Sequence, residues 1–288
     1  MIRNADRPAR TRRHRGVSRP RMTAMDKQTS VYARAPLSAD DGIPIYCGDS
    51  DFRRNYDAIY EQVFEQIEAG QDPNEEAVRL EMERATVDMI REYARGGRIL
   101  DAGVAMGRML SQLPDSFEKY GFDINIPCLK LAKAKGVDVC CAMVEDLPYR
   151  EGAFDAAIMS DFLEHVLDLN LTVKNVLATV RPGGLLFVRT PWREDLSIYL
   201  KDDYPFQYHH LRSFDEHGYR LLLEKIFPCK VLEHRLIGYS VCPERRRWMV
   251  PFCGRATKYS RAVSRTLHDR LIRLFYMPLK IVVVAQKL

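Results

Sequence analysis

From residue 98 onward, short apolar runs alternate with stretches whose apolar positions recur every three or four residues. That alternation is the pattern of strands joined by crossover helices in a largely parallel sheet. It predicts strands at about 98–102, 118–123, 137–142, 154–160, 184–190, 229–240 and 280–287, with helices near 106–113, 126–135, 162–181 and 214–226. The last run, from Lys280 to Gln286, is continuously apolar in its middle, as a strand covered on both faces must be. Upstream, Tyr56, Ile59, Tyr60, Val63, Phe64 and Ile67 fall at helical spacing until Asp72-Pro73-Asn74 interrupts them. A second helix then opens with Asn74 as cap and Glu75 and Glu76 in its first turn, and ends at Gly96-Gly97. The expected organisation is a tail at 1–40, a helical cap at 41–97, a doubly wound α/β core at 98–242, an insertion at 243–279 and a final core strand at 280–288 that brings the sheet to seven strands.

Charge changes this picture at two places. Residues 1–21 hold eight arginines against Asp6, and residues 243–280 hold ten lysines and arginines against Glu244 and Asp269, while the whole chain sums to only +5. The basic character therefore belongs to two segments and not to the core. The first, rich in Arg, Pro, Ser and Thr, has the composition of a disordered tail; it reads either as a basic arm or as sequence ahead of a start at Met22 or Met25. No run approaches the roughly 20 consecutive apolar residues of a membrane-spanning helix, and no apolar signal-peptide core lies near the N-terminus. Seven cysteines, odd in number and with no C-x-x-C pair, suit buried apolar positions in a reducing cytoplasm better than a zinc site or disulfide framework.

The chemistry concentrates where the first strand turns into the first helix of the core. Arg98-Ile-Leu-Asp101-Ala-Gly103-Val-Ala105-Met-Gly107 is a strand entering a glycine-spaced turn, where main-chain atoms can approach a ligand without an intervening Cβ. Its Asp-x-Gly-x-x-x-Gly spacing is not the dinucleotide fingerprint Gly-x-Gly-x-x-Gly. The carboxylate of Asp101 would repel a pyrophosphate and suits a ligand with a cationic end. Sixteen residues after Gly107, Asp123 ends the second strand, where a carboxylate can accept two hydrogen bonds from a ribose diol. Read alone, the turn also fits an unliganded strand-to-helix connection, and Asp123 a solvated strand end.

Together with Ile99-Leu-Asp-Ala-Gly103 and Gly121-Phe-Asp123, the ordered series Glu145-Asp-Leu-Pro-Tyr149, Gly152-Ala-Phe-Asp155, Leu163-Glu-His165-Val and Arg181-Pro-Gly-Gly184 resembles the core of the class I S-adenosylmethionine-dependent methyltransferases, especially the small-molecule group that includes the ubiquinone/menaquinone-type enzymes. The resemblance covers about residues 97–191. It implies a Rossmann-like sheet, mostly parallel with an antiparallel last strand and helices on both faces, and S-adenosyl-L-methionine as cofactor. By the same resemblance Asp101 and Gly103 line the methionine end and Gly107 closes the loop. Asp123 holds the ribose hydroxyls, Ile124 packs on the adenine, Val144 and Glu145 flank its edge, and Ser160 lies below the sulfonium. Two positions depart from the pattern: Ala105 stands where the middle glycine of the loop is usual, and Met143 where an acid is common.

Methyl transfer is an in-line displacement whose main demand is alignment, with a base added when the acceptor is a hydroxyl. The candidate bases are His165, in the Leu-Glu-His-Val turn, and His209 and His210, in the long connection after the fifth strand. Each also reads as an ordinary packing or loop residue. Trp192 and Arg193 leave the fifth strand at the same end and suit an aromatic or anionic acceptor, or the wall of its pocket. In the insertion, basic residues interleave with Trp248, Phe252, Leu267, Leu271, Ile272 and Phe275. This suits an interfacial helix on an anionic membrane, hence a peripheral place at the inner membrane surface, or an amphipathic helix packed on the domain; RNA binding ranks third. The expectation is a cytoplasmic methyltransferase acting at oxygen or nitrogen of a small-molecule or lipid- or sugar-linked acceptor. Its rivals are a non-catalytic binding module of the same fold and an NAD(P)-dependent oxidoreductase.

Overall fold

The computed structural model describes residues 30–48, 54, 73–202, 204, 210–241 and 276–288. The tail at 1–29, the first helix expected upstream apart from residue 54, His209 and the insertion up to residue 275 lie outside the described residues.

Five parallel strands form the centre of the sheet: β3 (Gly97–Ala102), β4 (Phe117–Asp123), β5 (Asp138–Cys141), β6 (Phe154–Ser160) and β7 (Val180–Pro191). Burial on both faces explains their unbroken apolar runs: Ile99, Leu100, Ala102, Phe122, Ala157, Ile158 and Phe187 are all at most 1% exposed. Two long strands, β8 (Cys229–Val241) and β9 (Tyr276–Lys287), complete that edge, with β9 antiparallel to both β7 and β8. The opposite edge is extended by a small hairpin, β1 (Ser38–Asp40) and β2 (Ile43–Ile45), which adds β2 in parallel to β5. The order is β1-β2-β5-β4-β3-β6-β7-β9-β8.

The doubly wound α/β class and the antiparallel last strand are as expected, but the sheet has nine strands, not seven. The hairpin escaped notice because each of its strands has only three residues, too few to show a period. Its segment is anchored by contacts that no local pattern announces. Tyr32 stacks on Tyr46 and Tyr149, its hydroxyl donates to Asp138 Oδ1 at 3.2 Å, and Arg34 pairs with Asp146 at 2.7 Å. Order thus reaches back at least to Tyr32, inside the stretch expected to be tail.

Among the described residues the α-helices are α1 (Pro73–Tyr93), α2 (Arg108–Ser111), α3 (Ile126–Ala134), α4 (Leu169–Thr179) and α5 (Glu216–Arg220), the last continuing as a π-helical turn over Leu221–Ile226. Side-chain caps set three of their starts: Asn125 accepts from Cys128 N, Asp168 from Leu171 N, and Asp215 from His217 N and Gly218 N. The cap at Asp168 shortens the helix expected over 162–181. Residues 162–167 are instead a tight turn outside the helix, and that turn carries the residues of interest. β9 also begins at Tyr276, so the final strand takes in the last residues assigned to the insertion.

Strand order reverses direction around β3: the chain moves outward to β4 and β5, then returns to β6 on the other side. The crevice beyond the carboxyl ends of β3 and β6 is where such sheets bind ligands. Asp101, Asp123 and Ser160 sit at the carboxyl ends of β3, β4 and β6 around it.

Candidate active site

The turn after β3 is held by hydrogen bonds that converge on Asp123. Its Oδ2 accepts from Ala105 N at 3.0 Å, and its Oδ1 accepts from Ile124 N at 2.7 Å and Asn125 N at 3.0 Å. The carboxylate is 5% exposed, so these bonds replace most of its hydration. Gly103 has φ 72°, and a Cβ there would stand 2.6 Å from the Phe162 ring, so the turn can only be made this tightly with glycine. Gly107 likewise has φ 67° and lies against Ala132. Ala105 also adopts a left-handed conformation, φ 42°, a geometry that favours glycine.

Asp101 is 3% exposed, and its Oδ1 has no hydrogen-bond partner. Burial drives its carboxyl well above the usual carboxylate range; Asp123 and Asp161 push the same way and Arg189 opposes them. Ser160 Oγ is also buried without a partner. Buried polar atoms left unsatisfied are rare in folded proteins and call for a partner such as a bound water or a ligand. Nearby, Asn175 of α4 donates to the carbonyls of Val144 and Glu145 at 2.9 and 3.1 Å. It thereby fixes the 3-10 turn Val144–Asp146, with Val144 buried and Glu145 exposed.

A second cluster lies after β6 and β7. His210 Nδ1 is 2.5 Å from Glu194 Oε2 and 2.8 Å from the Tyr199 hydroxyl, which itself donates to Glu194 Oε1 at 2.8 Å. The rings of His165 and His210 meet edge to face at 4.6 Å. Burial opposes ionisation of Glu194, but the hydrogen bonds from His210 and Tyr199 outweigh it and bring its carboxyl below the ordinary value. Glu164 completes the group, with an atom within 4.8 Å of both imidazoles. It is 0% exposed and neither of its oxygens has a hydrogen-bond partner; burial, followed by the neighbouring Asp161, pushes its carboxyl up to about 8. Asp161 goes the other way. Burial works against its charge, yet Arg189 at 2.5 Å and Lys280 at 2.7 Å keep it ionised well below the usual range.

A family model described as a methyltransferase domain matches residues 74–226, slightly more than half of the chain. The chain belongs to the S-adenosylmethionine-dependent methyltransferases. Among its relatives, a tRNA (carboxymethyluridine(34)-5-O)-methyltransferase of Arabidopsis thaliana is 37% identical over 112 residues, 37% of this chain and 27% of that protein. A ubiquinone biosynthesis O-methyltransferase of Mesorhizobium japonicum is 36% identical over 102 residues, 33% of this chain and 41% of that protein. This chain therefore spans less than half the length of these two relatives. In fold it is similar to a crystal structure of a S-adenosylmethionine-dependent methyltransferase of Thermotoga maritima, with TM-score 0.51 and 16% identity, covering 81% of this chain and 98% of that one.

With the methyltransferase fold in place, the residues expected at the site fall into two groups. Asp101, Gly103, Ala105, Gly107, Asp123, Ile124 and Ser160 gather at the carboxyl ends of β3, β4 and β6, and the 144–146 turn lies beyond β5. His165 and His210 come together in the second cluster. Trp192 and Arg193 are already engaged within the fold: Trp192 Nε1 donates to Glu216 Oε2 at 3.0 Å, and Arg193 Nη2 donates to Glu216 Oε1 at 3.1 Å. Sequence reasoning missed Glu164, Glu194 and Tyr199. For Glu164 the available signal is an acid in the otherwise apolar Leu-x-His-Val context. Glu194 and Tyr199 carried none, because their meaning comes from a partner 11 to 16 residues away.

Proposed function

We propose that this methyltransferase transfers the methyl group to an oxygen of a small-molecule or lipid- or sugar-linked acceptor, with His210 as the base. The Glu194–His210–Tyr199 arrangement is the observation that carries this reading. A carboxylate at Nδ1 favours the Nδ1–H tautomer and leaves the Nε2 lone pair to take a proton from an acceptor hydroxyl. Glu194 then stabilises the imidazolium that forms. A nitrogen acceptor would need no such base. The activities named for the tRNA and ubiquinone relatives, both O-methylations, favour oxygen as well.

The residues present fit the cofactor. An unsatisfied buried carboxyl oxygen on Asp101 suits the cationic methionine end, the glycine cradle at Gly103 admits it closely, and Asp123 suits the ribose hydroxyls. Ile124 and the 144–146 turn would pack about the adenine, and Ser160 would lie near the sulfur. When bound, S-adenosylmethionine supplies an activated methyl group as a sulfonium. The chain's own task is to exclude water, hold the acceptor in line and remove its proton. The basic segment at 243–279 is proposed to bring the enzyme to an anionic lipid surface. Co-sedimentation of the full chain with anionic vesicles at low and high salt tests that part separately.

The test of the main reading is transfer of labelled methyl from S-adenosylmethionine to fractions of a cell extract, followed by mass identification of the product. His210→Ala and Glu194→Gln are expected to slow transfer by about 10²–10⁴-fold while leaving cofactor affinity in place. A product methylated at nitrogen, or full activity in both variants, would overturn the assignment.

A further inference from the structure

The turn at 162–167 touches both halves of the site. At its start, Phe162 fills the space beside Gly103 and meets Phe122 edge to face at 6.2 Å, so it is seated on the cofactor loop. Next come Glu164 and His165, which face His210. Within it His165 N donates to Phe162 O at 3.2 Å. Carbonyls in such a turn, like those at a helix end, need donors from elsewhere.

Arg212 supplies those donors. Its Nη1 donates to Leu163 O at 2.9 Å and to Val166 O, and its Nη2 to Leu167 O at 3.2 Å. The preceding residue adds a fourth tie, Leu211 N to Glu164 O at 2.8 Å. Burial disfavours the charge on Arg212 and the nearby Asp168 supports it. One planar guanidinium thus gathers three carbonyls of a single turn, a geometry that a lysine ammonium on a flexible stem does not reproduce. It also ties that turn to the segment bearing His210, two residues before it.

We propose that Arg212 is a positioning residue for methyl transfer: it sets Glu164 and His165 at a fixed reach from the cofactor loop and in register with His210. Phe162 anchors one end of the turn and Arg212 the other, so the acceptor-side groups cannot drift from the line of transfer. The proposal rests on the acceptor-site reading above, which places the chemistry at this cluster. Arg212 itself touches no reacting atom.

Arg212→Ala and Arg212→Lys in the full chain test it, with three measurements on each. Calorimetric affinity for S-adenosylmethionine is expected to stay within about twofold, since the cofactor loop keeps its own ties to Asp123. Labelled-methyl transfer is expected to fall in kcat by about tenfold or more, with KM for the cofactor little changed, because misplacement acts on the transition state. The imidazole NMR chemical shifts of His165 and His210 are expected to change in both variants, and Arg212→Lys is expected to recover thermal stability without recovering turnover. Unchanged imidazole chemical shifts, or complete recovery of turnover by lysine, overturns the proposal. Should Arg212→Ala fail to fold, the lysine variant decides alone on the same readouts. If the wild-type chain transfers no methyl group to any fraction, the proposed function fails, whereas the imidazole chemical shifts still decide the role of Arg212.

Discussion

Replacing Asp123 by asparagine separates its two roles, because the substitution keeps shape and removes charge. The carboxylate takes two N–H groups on Oδ1, from Ile124 and Asn125, and one on Oδ2, from Ala105. An amide has one acceptor and one donor end, and the lower-energy placement keeps its oxygen on the Ile124/Asn125 side. Its NH2 then faces Ala105 N–H, donor against donor. One buried bond is lost and one N–H is left unsatisfied, a cost of about 1–3 kcal/mol. For a domain of this size each kcal/mol moves Tm by about 2–4 °C, so a fall on the order of 5 °C is expected. On the proposed ribose role, cofactor affinity bears a further loss, since hydrogen bonds from ribose hydroxyls to a carboxylate are worth more than those to an amide. The expected weakening is about 10–150-fold in Kd, equivalent to about 1.5–3 kcal/mol. Thermal unfolding and isothermal titration with S-adenosylmethionine and S-adenosylhomocysteine measure both effects. A variant that melts like wild type refutes the clasp; one that binds both ligands with wild-type affinity refutes the ribose assignment.

Two further predictions concern strain and buried charge. Ala105 at φ 42° carries a left-handed penalty of roughly 1–2 kcal/mol, offset by about 0.4–1 kcal/mol in the unfolded chain, so Ala105→Gly is expected to raise Tm by about 1–3 °C. A lower Tm would mean that the alanine methyl packs to advantage. Glu164 holds its proton in the folded state up to about pH 8 but releases it near its ordinary value of 4.5 when unfolded. The folded chain therefore binds more protons across that window, and this residue's contribution to stability declines as pH rises from about 4.5 to about 8. Glu164→Gln, neutral throughout, is expected to gain Tm relative to wild type progressively between pH 5.5 and pH 8, and equal differences at the two ends would contradict a raised carboxyl.

What the sequence determined by itself is the part written in short-range patterns. Apolar runs bounded by turns specify the seven core strands, because a strand buried on both faces must be apolar at every position, and β9 shows this in five consecutive residues. Asp101, Gly103 and Gly107 are legible for the same reason: a strand end, a tight turn and a helix start must follow each other within ten residues. The tertiary structure alone decided the rest. The hairpin at 38–45 is too short for periodicity and exists because β5 offers it an edge. Glu164 becomes a group poised near neutrality only through burial beside Asp161, and His210 a candidate base only through Glu194 and Tyr199. Arg212 reads in sequence as one more basic loop residue, and its three carbonyl partners lie 45 to 49 positions earlier. Local backbone preference and face-by-face burial act over a few residues and leave a trace in the chain. Proton affinity and long-range hydrogen bonds depend on neighbours that only folding brings into contact.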